Sequence, residues 1–418
     1  MSTSLRVALV DAYSMGRHLL PVLGPLGVEC VHVQSPAPDV HLAKLPVPDG
    51  FAAGVRHTGD LAATAAALRE QRVSFVISAG ESGVELADLL NAELGTPGNG
   101  MSRPSSRRNK YDMVRAIRDA GLDHAATMVS ADVDEVIEFA DRTAGYPVVL
   151  KPVASSGTDN VVACSSPEQI RAVHEMILTS ADRHGKPNTV VLAQEFLDGD
   201  EYFVNTVSRD GRHHTGEIWR YYKIRSAAGN IVYDYDEPLA PEDPVAQRLA
   251  AYTHQVLDAL EVRHWAAHTE VMMTARGPVL VECAARFGGG QVPPLNKRCF
   301  GTNQIEMFAQ ALLDPEGFDQ LPTMAYELLA HVRDVSLINS LDQGMVPSQE
   351  TLAEIRSLPS YAHTLMAHPE GTMIPRTIDV ATQPGWIFLV AEDPKQIQAD
   401  YERLREIERD YLYSAEPK

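Results

Sequence analysis

The sequence predicts a mixed chain, α/β at its start and α+β at its end. Three observations carry this prediction. Strand and helix patterns alternate over the first hundred residues, a Gly-, Pro-, Ser- and Arg-rich loop interrupts them, and a strand pair with a charged helix comes last.

LRVALV at 5–10 is a short apolar, β-rich run broken by DAYSMG; HLLPVLGPLG is helix-like and VECVHV is a second strand. The pattern repeats with LAATAAALREQ as helix, VSFVISAG as strand and ESGVELADLLNAELG as helix, its Val84, Leu86, Leu89 and Leu90 at helical spacing. An open parallel α/β domain over residues 1–104 is the expectation. Ligands of such sheets bind beyond the carboxyl ends of the strands, here the loops Asp11–Ser14 and Ala79–Ser82. TPGNGMSRPSSRR is the clearest linker and sets the boundary near residue 104. A helix around Lys110–Ala120 follows, and no internal repeat is visible. TIDVATQPGWIFLVAED reads as a strand pair with a Gly turn and PKQIQADYERLREIERDYL as a helix, so residues 321–418 are expected to form a separate α+β subdomain.

Composition narrows the function. The 418 residues are 44% hydrophobic and 22% charged, as in an ordinary folded protein. A net charge of −20 repels phosphate backbones and anionic lipid, which disfavours nucleic acid and membrane surfaces as partners. Cys30, Cys164, Cys283 and Cys299 lie far apart with no C-x-x-C, so neither a disulfide framework nor a thiolate zinc site is expected. The apolar stretch near the N-terminus stops at Asp11, too short for a signal sequence, and the expected location is cytoplasmic.

Three segments carry chemistry. In PVVLKPVASSGTDNVVAC, Lys151 ends an apolar strand and a small polar Gly loop leads into another. A lysine in a buried strand is costly unless an anion meets it, and the backbone N–H groups of the loop offer donors to that anion. Phosphate fits, although an ordinary polar hairpin with a snorkelling lysine is equally compatible, and neither the P-loop nor the dinucleotide glycine motif is present. In AHTEVMMTARGPVLVECAAR, a three-residue ARG turn pairs Thr274 with Pro278 and places Glu270 opposite Glu282. Opposed like charges destabilise a sheet unless a hard cation such as Mg²⁺ neutralises them; a bulge that leaves both solvated is the competing reading. Arg286 follows, then Gly288, Gly289 and Gly290, where backbone can approach a ligand and a guanidinium can stabilise an oxyanion. In VVLAQEFLDGDEYFVNTVS, a strand breaks at Asp198–Asp200, with Glu195 and Glu201 as acidic markers suited to ribose recognition or to a plain solvated turn.

Taken in order, Lys110, K-P-x-x-S-S-G-T at 151–158, Q-E-F-L-D-G-D-E-Y at 194–202, and Glu270 with E-x-x-x-R at 282–286 resemble the ATP-grasp superfamily. E-S-G-V-E-L-A-D at 81–88, L-G-T-P-G-N at 94–99 and R-F-G-G-G-Q-V-P at 286–293 look like its dipeptide-forming L-amino-acid ligase branch. The resemblance implies an ATP-grasp fold with its nucleotide-binding region at 105–320, including a mobile lid at about 130–200. It also implies that Lys110 and Lys151 hold ATP phosphates under a loop of Ser155, Ser156, Gly157 and Thr158. Gln194, Glu195 and Leu197 would lie at the adenine and Glu201 at the ribose; Glu270 and Glu282 would carry Mg²⁺, two ions with Mn²⁺ as substitute. Arg286, with Lys151, would be catalytic; Glu81, Arg286, Gly288 and Gly289 would face the substrates, and so would His268, which lies two residues from Glu270 on the same strand face. Ala284 departs from the pattern, standing where many members have a metal-ligating asparagine.

The implied reaction joins a small-molecule carboxylate to an amine through an acyl phosphate with release of ADP, and the implied assembly is a homodimer. Ligation of ammonia, a polyamine or a non-amino-acid carboxylate, and ATP binding without catalysis, are the alternatives. The segment EIWRYYKIR, with Trp219, Arg220, Tyr221, Tyr222, Lys223 and Arg225, suits a carboxylate ligand or a plain strand pair. His264-x-x-x-His268 lacks the glutamate of a zinc helix, and VDAYSMG lacks the glycines of a dinucleotide site.

Overall fold

The computed structural model describes residues 5–13, 15–36, 38, 47–155, 157, 159–182, 185–225 and 231–414. Ser14, Ser156 and Thr158, singled out above, lie outside them. The first unit is a parallel sheet of β1 (Arg6–Val10), β2 (Glu29–Gln34), β3 (Ala53–Arg56) and β4 (Phe75–Ser78), in the order β3-β2-β1-β4. Helices Leu61–Glu70 and Val84–Leu94 complete the expected α/β domain. At the carboxyl end of β1, Asp11 accepts bonds from Ser35 N at 2.9 Å, Ser35 Oγ at 2.6 Å and Ser82 Oγ at 2.6 Å. Its carboxylate thus closes the strand crest on itself, while Glu81, one residue before Ser82, turns toward the rest of the chain.

The linker is bolted down. Arg107, fully buried, donates to Asp88 at 2.7 Å, to Leu260 O at 2.9 Å and to Gly100 O at 2.8 Å, tying the first domain to the next. β5 (Thr127–Ser130), β6 (Val148–Lys151), β7 (Val162–Cys164) and β8 (Val191–Glu195) then form a small antiparallel sheet, order β5-β8-β6-β7. Helices Val133–Phe139 and Pro167–Thr179 cover it around a core of its own, which includes Val148, Leu150, Ile170 and Val191.

The second sheet has eight strands. β9 (Gly199–Arg209), β10 (Arg212–Arg225), β11 (Ile231–Pro238), β12 (Trp265–Thr274) and β13 (Gly277–Ala284) form one part. β14 (His331–Ser336) pairs with the open side of β11; with β16 (Tyr361–Met366) and β18 (Gly385–Ala391) the order is β13-β12-β9-β10-β11-β14-β18-β16. A minor pair, β15 (Gln343–Met345) and β17 (Met373–Pro375), lies apart. The strands of residues 321–418 therefore extend the central sheet and do not stand separate from it, because the β11 edge accepts β14. TIDVAT supplies no strand: Asp379 and Thr382 form a reciprocal capping box that closes a helical turn, and only β18 pairs. Helix Pro394–Ile407 packs Ile397, Leu404 and Ile407 under β14 and β18.

One face of the large sheet is apolar and carries helix Pro244–Ala259, whose Leu249, Val256 and Leu257 meet Val204, Val271 and Leu280. Each such fully buried side chain contributes about 1.5–3 kcal/mol. The polar residues of the same strands consequently emerge on the opposite face, since side chains alternate along a strand. Among the described residues no helix is long and apolar enough to cross a membrane.

Candidate active site

The Glu270–Glu282 hairpin shows how the sequence places the site. The turn has two residues, Ala275 and Arg276, not three, with Thr274 facing Gly277 and Met272 facing Val279. Continued regularly, this register would set Val281 opposite Glu270 and turn Glu282 to the apolar face. A bulge after the Val271–Leu280 pair corrects it, so Glu270 does face Glu282. The expected pairing is found, but the bulge produces it and not the expected turn. Gly277 takes φ +117°, as the turn requires.

Lys110 begins helix Lys110–Asp119, started by Asn109, whose side chain accepts from Tyr111 N and Asp112 N. A cation at a helix N-terminus opposes the helix dipole and needs an anion. Lys110 Nζ donates to Glu282 Oε1 at 2.7 Å and to Ser155 O at 2.6 Å, linking the glycine loop to the large sheet. Lys151 is buried at the end of β6 and donates to Gln194 Oε1 at 2.8 Å. Burial, then the neighbouring Lys110, lowers its pKa to about 8, and Glu282, Glu270 and Glu201 oppose the shift.

Glu81 reaches across from the first domain to Arg286 Nε at 2.8 Å and to Arg108 Nη1. Burial pushes its pKa up, but Arg108, Arg286 and Lys110 outweigh this and hold its carboxyl at about 2. Glu270 is only partly exposed, and the desolvation pushes its pKa up, yet His268, Lys223 and Arg286 keep it well below the usual carboxylate range. Glu201 accepts from Lys223 Nζ at 2.7 Å. Burial alone would lower the pKa of Lys223; Tyr233 and Glu201 raise it instead. His268 is buried, with Nδ1 at 2.8 Å from Asn205 Oδ1 and Nε2 at 3.7 Å from Glu270 Oε1. His264 turns instead to Asp210, so the two imidazoles share no ligand.

Lys110, Lys151, Glu270, Glu282, Arg286, Glu81 and His268 thus come together from separate segments. Gly288 packs against them: a side chain there would reach within 2.7 Å of Asn205 Oδ1. Gly289 has open space at the same rim. Gln194 and Glu195 both have side-chain partners within the protein. The Gln194 side chain is occupied within the small sheet by Lys151 and by Thr127 Oγ1 at 3.0 Å. Glu195 binds Arg276 at 2.8 Å and Ala126 N at 3.0 Å, fastening the β8 end to the β12–β13 turn. Leu197 is half-buried in the strap between β8 and β9, and Ser155 and Gly157 lie in the loop after β6. Sequence reasoning missed Arg108, Asn205 and Glu217, and it left Lys223 unassigned. Arg108 has a signal two residues before Lys110, whereas Asn205 and Glu217 show only as polar residues in apolar strands.

Chemically, a row of lysines and arginine facing paired carboxylates between two sheets suits a polyphosphate with a hard divalent cation. The carboxylates fit such a cation as oxygen donors, and the charge of Glu282 is balanced here by Lys110. Among the described residues no three His, Cys, Asp or Glu side chains form a ready-made cage, since Glu282 is drawn to Lys110.

Comparison with known proteins agrees with this chemistry. Residues 144–294 match the ATP-grasp domain. Over 97% of its length the chain is 32% identical to dapdiamide A synthase of Enterobacter agglomerans, covering 96% of that protein. It is 24% identical to alanine–anticapsin ligase of Bacillus subtilis over 53% of this chain and 49% of that one. The fold superposes on L-amino acid ligase from Bacillus licheniformis with a TM-score of 0.73, at 19% identity, covering 97% of this chain and 98% of that one. Fold, charge arrangement and full-length similarity converge: the chain belongs to the ATP-grasp family of carboxylate–amine ligases.

Proposed function

We propose that this ATP-dependent ligase activates the carboxylate of an amino acid or small acid as an acyl phosphate and joins it to the amino group of an amino acid. The carboxylate oxygen attacks the γ-phosphorus, and the bond to the ADP oxygen breaks. The amine nitrogen then attacks the acyl carbon, the C–O bond to phosphate breaks, and the amine gives up a proton as the amide forms. The convergence of Lys110, Lys151, Glu270, Glu282 and Arg286 supports this reading most directly.

In it, Lys110 and Lys151 take the phosphates, with Lys223 as a third ammonium on the large sheet, and the loop of Ser155, Ser156, Gly157 and Thr158 folds over them. Glu270 and Glu282 hold the divalent cation, which when bound screens the charge of phosphoryl transfer. We take it as Mg²⁺, two ions per site, with Mn²⁺ as substitute. The backbone around Gln194, Glu195 and Leu197 borders the adenine and Glu201 the ribose. Arg286 stabilises the oxyanion when the amine adds, and Glu81, tied to it, holds it in place until substrate enters. His268, Gly288 and Gly289 border the substrates. The β5–β8 sheet, with its own core and its Glu195–Arg276 tether, acts as the lid that keeps water from the acyl phosphate. A homodimer in a reducing cytoplasm completes the reading, in keeping with four free, buried cysteines.

The experiment is ATP turnover with Mg²⁺ and pooled amino acids, with nucleotides and products resolved by mass spectrometry. ADP with a product lighter by one water than its two substrates is expected, and E282Q should lower ADP formation by at least about a hundredfold. AMP and pyrophosphate would replace acyl-phosphate chemistry by adenylation. Undiminished ADP formation by E282Q would overturn the cation assignment.

A further inference from the structure

His268 and Ala284 are direct partners across β12 and β13, one step along the same face from the Glu270–Glu282 pair. Ala284 offers only a methyl group there, and Phe203 packs beside the imidazole with ring centroids 5.2 Å apart.

The imidazole is held in one orientation. Asn205 donates its Nδ2 to Glu217 Oε1 at 2.7 Å, and Asn296 Nδ2 donates to Glu217 Oε2 at 2.7 Å. Asn205 and Glu217 are fully buried. With its nitrogen committed to a carboxylate, the Asn205 amide presents its oxygen to His268 Nδ1, which turns Nε2 toward Glu270. Gly288 seals this arrangement: a Cβ there would come within 3.1 Å of His268 Nδ1.

We propose that His268 Nε2 is a nitrogen ligand of the divalent cation, supplying the donor that Ala284 does not. This rests on Glu270 and Glu282 as cation ligands. The 3.7 Å between Nε2 and Glu270 Oε1 is too long for a hydrogen bond yet shorter than twice a metal–ligand bond of about 2.1 Å, so one cation reaches both atoms. Glu282 joins when Lys110 moves from it to a phosphate. Asn205 then plays the part that a carbonyl or carboxylate plays behind most metal-bound histidines, fixing tautomer and ring orientation. An imidazole among oxygen donors also shifts preference from Mg²⁺ toward Mn²⁺.

Pulsed EPR of the full chain with Mn²⁺ and a non-hydrolysable ATP analogue tests this directly. Histidine-specific ¹⁵N labelling of the wild-type protein is expected to show ¹⁵N coupling from a directly bound nitrogen. H268A should lose that coupling and bind Mn²⁺ at least about tenfold more weakly. A284N in the H268A background should restore affinity without the nitrogen signal. Bound Mn²⁺ with no histidine coupling in the labelled wild type, which needs no variant to fold, overturns the assignment of His268 alone. Failure of Mn²⁺ and nucleotide to bind the wild type overturns the Glu270–Glu282 site with it.

Discussion

Lys110 lies 2.7 Å from Glu282, although 172 positions separate them in sequence. The contact places a helix-terminal ammonium on the carboxylate assigned to the cation, so the two charges must part when substrate enters.

Replacing Lys110 should therefore move two affinities in opposite directions. K110M is expected to weaken ATP binding about tenfold or more, through loss of a phosphate contact. The same variant should bind Mn²⁺ in the absence of nucleotide more tightly than wild type, because Glu282 no longer has an ammonium to release. Calorimetry of each ligand separately reads both; parallel losses would reject the exchange.

If Lys151 takes a phosphate as proposed, it should set the pH response of nucleotide binding. Burial, with Lys110 nearby, holds its pKa at about 8, below the ordinary lysine value of about 10.4. Polyphosphate binds the ammonium form, so ATP affinity should be flat below about pH 8. Above it, affinity should fall by up to about tenfold per pH unit, with a proton taken up on binding. K151M should bind more weakly and lose this limb. Titrations in buffers of different ionisation enthalpy would show the proton; a flat wild-type profile from pH 7 to 9.5 contradicts the assignment.

Arg286 donates through Nε to Glu81 and through Nη1 to Phe287 O, a planar arrangement that lysine does not reproduce. R286K is expected to lower kcat by about 10²–10³ while leaving the KM for ATP within a few fold, the pattern of a group that acts when charge develops. A change confined to KM would make Arg286 a binding residue only.

Arg107 tests the joint between the domains. R107M leaves the buried Asp88 with the Asn99 amide but no cation and should cost about 3–5 kcal/mol in urea denaturation. Removing both charges in R107M/D88L should cost less than R107M alone. A larger loss in the double variant would show that packing, not charge, holds the joint.

Much of the site was legible because its chemistry needs particular residues in a particular order. Lys151 at a strand end before a glycine loop, and two glutamates near a Gly turn followed by Arg286, each left a structural reading open when taken alone, and it was their order along the chain that pointed to one site. The Glu270–Glu282 pairing was expected from a three-residue turn, yet the structure uses a two-residue turn and a bulge. Under the expected register Leu280 would share the face of Glu270 and Glu282; the two-residue turn instead pairs it with Val271 on the apolar face, and the bulge returns Glu282 to the face of Glu270. Nothing local in sequence shows that the Gln194 side chain meets Lys151 and Thr127 or that Glu195 meets Arg276, because those contacts are made with other segments.

The sequence by itself determined the parallel first domain, the ATP-grasp resemblance and the residues that carry charge, because periodicity and local motifs act over a few neighbouring positions. Only the tertiary structure decided that β14 continues the central sheet, that Arg107 fastens the linker, and that Glu81 meets Arg286. It alone set His268 between Asn205 and Glu270. These are pairings between distant segments, fixed by which edges, faces and buried charges remain unsatisfied once the local elements have formed.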